Sequence, residues 1–309
     1  MTNVYEAVDG NKKKSIIIVA LFFLFVTIVV YILSNASAYY LGYAPGGLGY
    51  FGFALIISGL LSIGGYYFSD SIVLGISGAR PADRKRDFTF YTVTENLCLA
   101  TGLPKPKLYV IVDSAPNAFA TGRDPEHAAL CATAGLLDKL NRTELEGVVG
   151  HELSHIKNYD TRLMAVVAVL VGIVALLGDL FLRMSFFGRR DSDEERGNMG
   201  VIFVILGIIF AILSPIVAQL IQLAVSRRRE FLADASSVAI TRQPEGLIFA
   251  LEKISKDNEP LEAANKATAH LYISNPIKDK GHGAVSWFSN LFNTHPPIFE
   301  RIKALKAME

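Results

Sequence analysis

The residues best equipped for chemistry are His151, Glu152 and His155, in the run His151-Glu152-Leu153-Ser154-His155. The stretch around them reads as one helix of soluble character. Thr143 with Glu146 forms a capping-box pattern, Asn141 adds a second polar start signal, and no proline interrupts the run to Tyr159. Gly147 and Gly150 are its only weak helix formers. At about 3.6 residues per turn, side chains at positions 151 and 155 leave the same face, so two imidazoles can offer nitrogens to one tetrahedral Zn2+. Glu152 sits one position round from that line, where a carboxylate can act as general base toward an attacking water. Histidine is scarce, six in 309 residues, so the pattern has few chances to arise by accident.

A catalytic zinc site needs a third protein ligand and keeps a fourth position open. The run Arg227-Arg228-Arg229-Glu230-Phe231-Leu232-Ala233-Asp234 supplies Glu230, which completes a His2Glu set. Asp234, one helical turn later, is placed to accept the free N–H of a ligating histidine, assigned here to His151, and so to fix its tautomer. In Asn293-Thr294-His295-Pro296-Pro297, His295 is the best remaining candidate to reach the metal. It would either stabilise an oxyanion or fill the open zinc position in a resting state. His127, His270 and His282 have no comparable context and read as structural or surface residues.

The elements that must position these groups are membrane-bound. The chain is 51% hydrophobic and 19% charged, with a mean hydropathy of +0.35 and a net charge of +1. That balance excludes a nucleic-acid binder working through bulk positive charge and exceeds the apolar content of a usual soluble domain. Cys98 and Cys131 form no C-x-x-C pattern and read as small buried hydrophobes, in keeping with a reducing, cytoplasm-facing soluble part.

Residues 1–14 form a polar cytoplasmic tail ending in Lys12-Lys13-Lys14. A hairpin of two spans follows, 15–33 and 50–68. The uncharged run 15–33 rises about 28 Å as a helix, close to the hydrocarbon thickness, and is too long for a cleaved signal. Between the spans, Tyr39, Tyr40 and Tyr43 suit a membrane interface. The second span holds Gly52, Gly59, Gly64 and Gly65, which allow close packing. Lysines before the first span, and Arg80, Arg84, Lys85 and Arg86 after the second, put both flanks in the cytoplasm.

Residues 69–160 form the first cytoplasmic part of the site domain, with a helix at 87–100, strands at 107–112, 117–122 and 127–133, and the His151 helix. A sheet edge beside that helix could bind an extended peptide by strand addition. A second hairpin, 163–182 and 201–225, comes next, with Asp179 as the one charge of its first span and Arg183 placed to pair with it. It returns Glu230 to the level of the histidines, and residues 226–309 complete the cytoplasmic domain, mostly as helices. The expected architecture is a mainly α membrane protein with four transmembrane helices, a small mixed sheet and an α+β site domain.

These motifs carry a resemblance. HELSH, EFLAD, the preceding NAFATG, the late THPP and the paired N-terminal spans are similar to the M48 metallopeptidases, over essentially the whole chain. The resemblance implies a gluzincin-type zinc endopeptidase, embedded in the cell membrane with its site facing the cytoplasm, acting on unfolded or membrane polypeptides in protein quality control. By matching motif it implies one zinc per chain on His151, His155 and Glu230, Glu152 as base and Asp234 as orienter. It also implies that Asn117, Ala118, Phe119, Ala120 and Thr121 form the substrate-binding edge.

Three rival readings are weaker. An intramembrane protease of the site-2 type would bury its motif helix in lipid, but this helix carries Glu144, Glu146 and Lys157, with Asp160 just beyond. A non-catalytic membrane scaffold or chaperone with structural zinc would close the site with four Cys or His ligands. A transporter would show internal repeats or clustered intramembrane charge, and neither is present.

Overall fold

The computed structural model describes residues 4–40, 48–187, 227–257, 259–263, 268–274 and 296–308. The apolar runs become long helices. α1 (Val4–Tyr40) and α2 (Leu48–Tyr67) pack as a hairpin, with the hydroxyls of Thr27 and Ser58 2.7 Å apart between them. Among the described residues, the Asp9–Ile32 portion of α1 is long and apolar enough to cross a membrane. α2 qualifies jointly with α3 (Ser69–Ile76), but the chain bends by 74° between them, so the second expected span is a bent pair if it is one span. Ile17, Leu21, Leu24 and Ile28 project from α1 at helical spacing and are at least half exposed, the surface a lipid phase would cover. Two of the four glycines meet neighbours: Gly59 faces Phe23 of α1, and Gly65 faces Val169.

The third expected span, 163–182, is the body of α7 (Asp160–Phe187). Its first turns are not lipid-facing: Leu163 to Val171 are all buried in the protein. Their core includes Val73 and Leu74 of α3 and Phe119 of the sheet. The fourth expected span, 201–225, lies outside the described residues, so they carry one or two candidate spans rather than four.

The site domain is built on a mixed four-stranded sheet ordered β1-β2-β4-β3. β2 (Lys107–Ile111) and β4 (Ala128–Thr133) run parallel, while β1 (Arg80–Pro81) and β3 (Ala118–Gly122) add antiparallel at the two ends. All three strands expected from the sequence form, each within a residue or so of its expected limits. α4 (Phe88–Thr101) likewise forms where a helix was expected. After α5 (Ala134–Lys139) comes α6 (Arg142–Lys157), the helix that carries the histidines.

The α6 start differs from the expected one. Asn141, not Thr143, is the cap: its side chain accepts from the Glu144 N–H at 3.0 Å, and Glu144 Oε2 accepts from the Asn141 N–H at 2.8 Å. Two overlapping polar frames compete here. The earlier one wins because Lys253 reaches Glu144 from another helix, whereas Glu146 pairs outward with Arg142. α8 (Arg227–Thr241), α9 (Pro244–Lys256) and α10 (Ile298–Lys306) complete the domain around α6.

Candidate active site

α6 can approach α8 and α9 because two of its positions lack side chains. A Cβ on Gly147 would stand 2.6 Å from the Leu247 backbone nitrogen, and one on Gly150 would stand 2.8 Å from Ser237 Oγ. Ser237 instead donates to the Gly147 carbonyl at 2.7 Å, tying α8 against α6. Of the glycines that weaken α6 as a helix, Gly150 thus lets it meet the helix that bears Glu230 and Gly147 lets it meet α9.

At that crossing the three expected ligand side chains converge. His151 Nε2 and His155 Nε2 are 3.1 Å apart, and the Glu230 carboxylate lies 3.7 Å from the first and 3.5 Å from the second. Their ligand atoms all fall within 4.8 Å of one another. Atoms bound about 2.0–2.1 Å from a tetrahedral ion stand roughly 3.3 Å apart, so this donor set fits Zn2+. All three residues are buried, as is Glu152.

The outer ring nitrogens are also engaged. His151 Nδ1 lies 2.9 Å from Asp234 Oδ1, the pairing expected from the sequence, and His155 Nδ1 lies 3.0 Å from Asp160 Oδ2. Each imidazole thereby turns Nε2 toward the common point, the arrangement that fixes tautomer and ring orientation at a metal.

The electrostatics follow from burial. Burial raises the Glu152 pKa above the ordinary carboxylate range despite the opposing pull of His151 and His155. Burial disfavours a charged His155, but Asp160, Glu230 and Glu152 outweigh it and push its pKa up to about 9. A proton held there competes with any divalent ion for the same nitrogen. Burial opposes ionisation of Asp234 too, yet the Arg301 guanidinium and the His151 hydrogen bond hold its carboxyl below the usual range.

Arg301 and Asp160 are the residues that sequence reasoning missed. Arg301 is fully buried and clasps Asp234 through two hydrogen bonds of 2.9 and 2.6 Å, while its third nitrogen donates to the Ile273 carbonyl at 3.0 Å. The signal was present: Arg301 stands among Ile298, Ile302 and Leu305, a lone charge on the apolar face of α10. Asp160 had counted only as a charge too costly for lipid.

The proposed substrate strand is placed differently from a bare edge. β3 ends the sheet, but all five of its residues are buried, and Ile273 N–H donates to the Ala118 carbonyl at 2.9 Å. Asn117 bonds Ser274 through its amide and Thr133 through its backbone N–H, and the Phe119 ring meets Tyr272 edge-on at 5.0 Å. The chain's own residues 272–274 therefore occupy the strand-addition position at Ala118. Ala120, two residues on, turns its backbone to the same side.

His295 and His282 lie outside the described residues. His270 is buried with Nε2 3.2 Å from the Met164 carbonyl, and the half-exposed His127 ring pairs with Asp124, so both are structural or surface groups as expected. Both cysteines are free and buried.

A fold that brings two histidines of one helix and a glutamate of another to a single buried point, beside a second glutamate, defines a site of the metallopeptidase class. Residues 85–309 match the model of peptidase family M48. The chain is 43% identical over 306 residues to a protease HtpX homolog of Dictyoglomus thermophilum, covering 98% of this chain and 94% of that protein. To the protease HtpX homolog of Caldanaerobacter subterraneus subsp. tengcongensis it is 42% identical, over 98% of this chain and 97% of that one. A more distant similarity, to the crystal structure of S. mikatae Ste24p, has a TM-score of 0.47 at 18% identity over 83% of this chain and 58% of that one. The chain belongs to peptidase family M48. It is a metalloprotease, and among its described residues one helix is long and apolar enough to cross a membrane, or two if the bent pair is one span.

Proposed function

We propose that the protein is a zinc endopeptidase that cleaves unfolded or membrane polypeptides at the cytoplasmic face of the membrane, as part of membrane protein quality control. The observation that carries this reading is the facing pair of His151 and His155 Nε2 atoms with the Glu230 carboxylate closing the triangle. In it, His151, His155 and Glu230 are the ligands of one zinc ion per chain. Zinc held there supplies a Lewis acid that polarises a peptide carbonyl and acidifies water. Glu152 takes the proton of the attacking water and passes it to the leaving amine, work suited to a carboxyl whose pKa burial has raised. Asp234 and Asp160 hold the two imidazoles in register.

The polypeptide lies extended along β3, using the outward-facing backbone around Ala120 beyond the stretch that Ile273 occupies. The cytoplasmic orientation is supported by the lysines before α1 and the arginines after α3. His295 remains the candidate for an oxyanion or resting-state group.

Purified full-length protein in detergent, incubated with casein, tests the reading. Cleavage should stop with a chelator, return with zinc, and be absent from Glu152→Gln protein that still binds one zinc per chain. Appreciable turnover by that variant would remove Glu152 from the role of base.

A further inference from the structure

The partners of Asp160 extend beyond the family-matched region. Asn11, near the start of α1, precedes residues 85–309 and is 3% exposed. Its amide nitrogen donates to Asp160 Oδ1 at 2.7 Å and to the Asn158 carbonyl at 3.0 Å, and its oxygen accepts from Arg229 at 3.3 Å. Arg229, directly before Glu230, also donates to Asp160 Oδ1 at 3.1 Å. The other oxygen of the same carboxylate holds His155 Nδ1.

The place where Asn11 binds is the joint between the histidine helix and the membrane-directed one. α6 ends at Lys157 with Asn158 as its cap, α7 begins at Asp160, and between them Tyr159 is in the left-handed region at φ 58°. A bulky residue is rarely found there and needs its surroundings to hold it. Asn11 bonds the residue on each side of Tyr159, while the Lys12 ammonium and the Arg162 guanidinium sit over its ring at 4.4 and 5.2 Å. A buried amide spending both donor bonds on one joint fixes where that joint can lie, because each bond lost would strand a buried polar group.

We propose that Asn11 is a positioning residue for the metal site. From the first membrane helix it sets the Asp160 carboxylate, which in turn sets the ring of His155. Docking of α1 against the α6–α7 joint is then a condition for full metal affinity. The proposal rests on His155 being a metal ligand.

The test uses full-length protein in detergent, with zinc affinity read by competition against a chromophoric chelator. Asn11→Ala should weaken zinc binding severalfold, up to about the tenfold that is the low end for a ligand's direct partner, since it acts one contact further out, and lower kcat at saturating zinc with KM unchanged. Lys13→Ala, an exposed neighbour on α1, should bind zinc as the unaltered protein does. In an Asp160→Asn background, Asn11→Ala should cost nothing further, since its route to His155 is already cut. Should Asn11→Ala fail to fold, Asn11→Ser, which keeps a shorter donor, takes its place under the same readings. Unchanged affinity, an equal loss in Lys13→Ala, or an additive loss in the Asp160→Asn background overturns the proposal. Unchanged zinc affinity in His155→Ala sinks the ligand assignment instead, whatever Asn11 does.

Discussion

Without the Arg301 guanidinium, a 1% exposed Asp234 would keep, among the described residues, the His151 ring as its partner and lose the charge that offsets its burial. Breaking a buried pair from one side costs about 3–5 kcal/mol, because the remaining charge is stranded. Arg301→Met should therefore lower stability by that order and also weaken zinc binding, since Asp234 would no longer be held in line with His151 Nδ1. Adding Asp234→Asn removes the stranded charge and should restore much of the stability, but not the zinc affinity, because His151 then lacks its carboxylate. Chemical denaturation and zinc titration of both proteins separate the two effects. A single variant as stable as the unaltered protein would contradict the account. The same reasoning explains why His151 and Glu230 were legible in the sequence and Arg301 was not. His151, Glu230 and Asp234 stand out through spacing on their own helices, whereas Arg301 shows in the sequence only as a lone charge on an apolar helix face, and what it answers is known only once the fold supplies Asp234.

At the level of elements, the crossing of α6 with α8 and α9 decides whether the ligands meet. Helix propensity alone says that Gly147→Ala should stabilise α6 by about 1 kcal/mol. Packing says the reverse: the new methyl would meet the Leu247 backbone, which cannot rotate away, and overpacking of this kind costs about 1–3 kcal/mol. Gly147→Ala should lower the melting temperature and loosen zinc, and a stabilised variant with intact zinc would show that the crossing tolerates more room than the geometry allows. Gly150→Ala meets the Ser237 hydroxyl rather than backbone and should be milder. The sequence showed these glycines only as weak points in a helix, because propensity is local and the helix they admit arrives some 80 or more residues later. Strands β2, β3 and β4 were legible from the breaks that flank them, Pro104 and Pro106 before β2 and the turn at Arg123-Asp124-Pro125 between β3 and β4, and α4 formed where a helix was expected. Coverage of β3 at Ala118 was not, since nothing in residues 269–274 marks them as its neighbour. Nor was the bend after Tyr67: the polar run Ser69-Asp70-Ser71 ends the expected span at residue 68 but does not show that the next apolar helix, α3, turns away by 74°. Hydropathy measures the length of an apolar run and is silent about its direction.

Across the whole molecule, the metal site is the place where segments far apart in sequence are tied together: α6 before the second apolar stretch, α8 after it, and α1 and α10 from the two ends of the chain. Zinc bound only by the folded state stabilises it by RT ln(1 + [Zn]/Kd), about 2.7 kcal/mol at a hundredfold excess over Kd. For a chain of this size that corresponds to a rise in melting temperature of roughly 5–10 °C. Removal of zinc by a chelator should therefore lower the melting temperature by that order in detergent, and added zinc should restore it in a concentration-dependent way. The shift should be lost in Glu230→Ala, where α8 no longer reaches the ion, and kept in Glu152→Gln, where the ligands remain and only the base is gone. That contrast separates holding the metal from using it: a melting temperature indifferent to zinc would mean that the three side chains meet without binding it, while an equal loss of the shift in Glu152→Gln would make Glu152 part of the metal-holding set rather than its chemical partner.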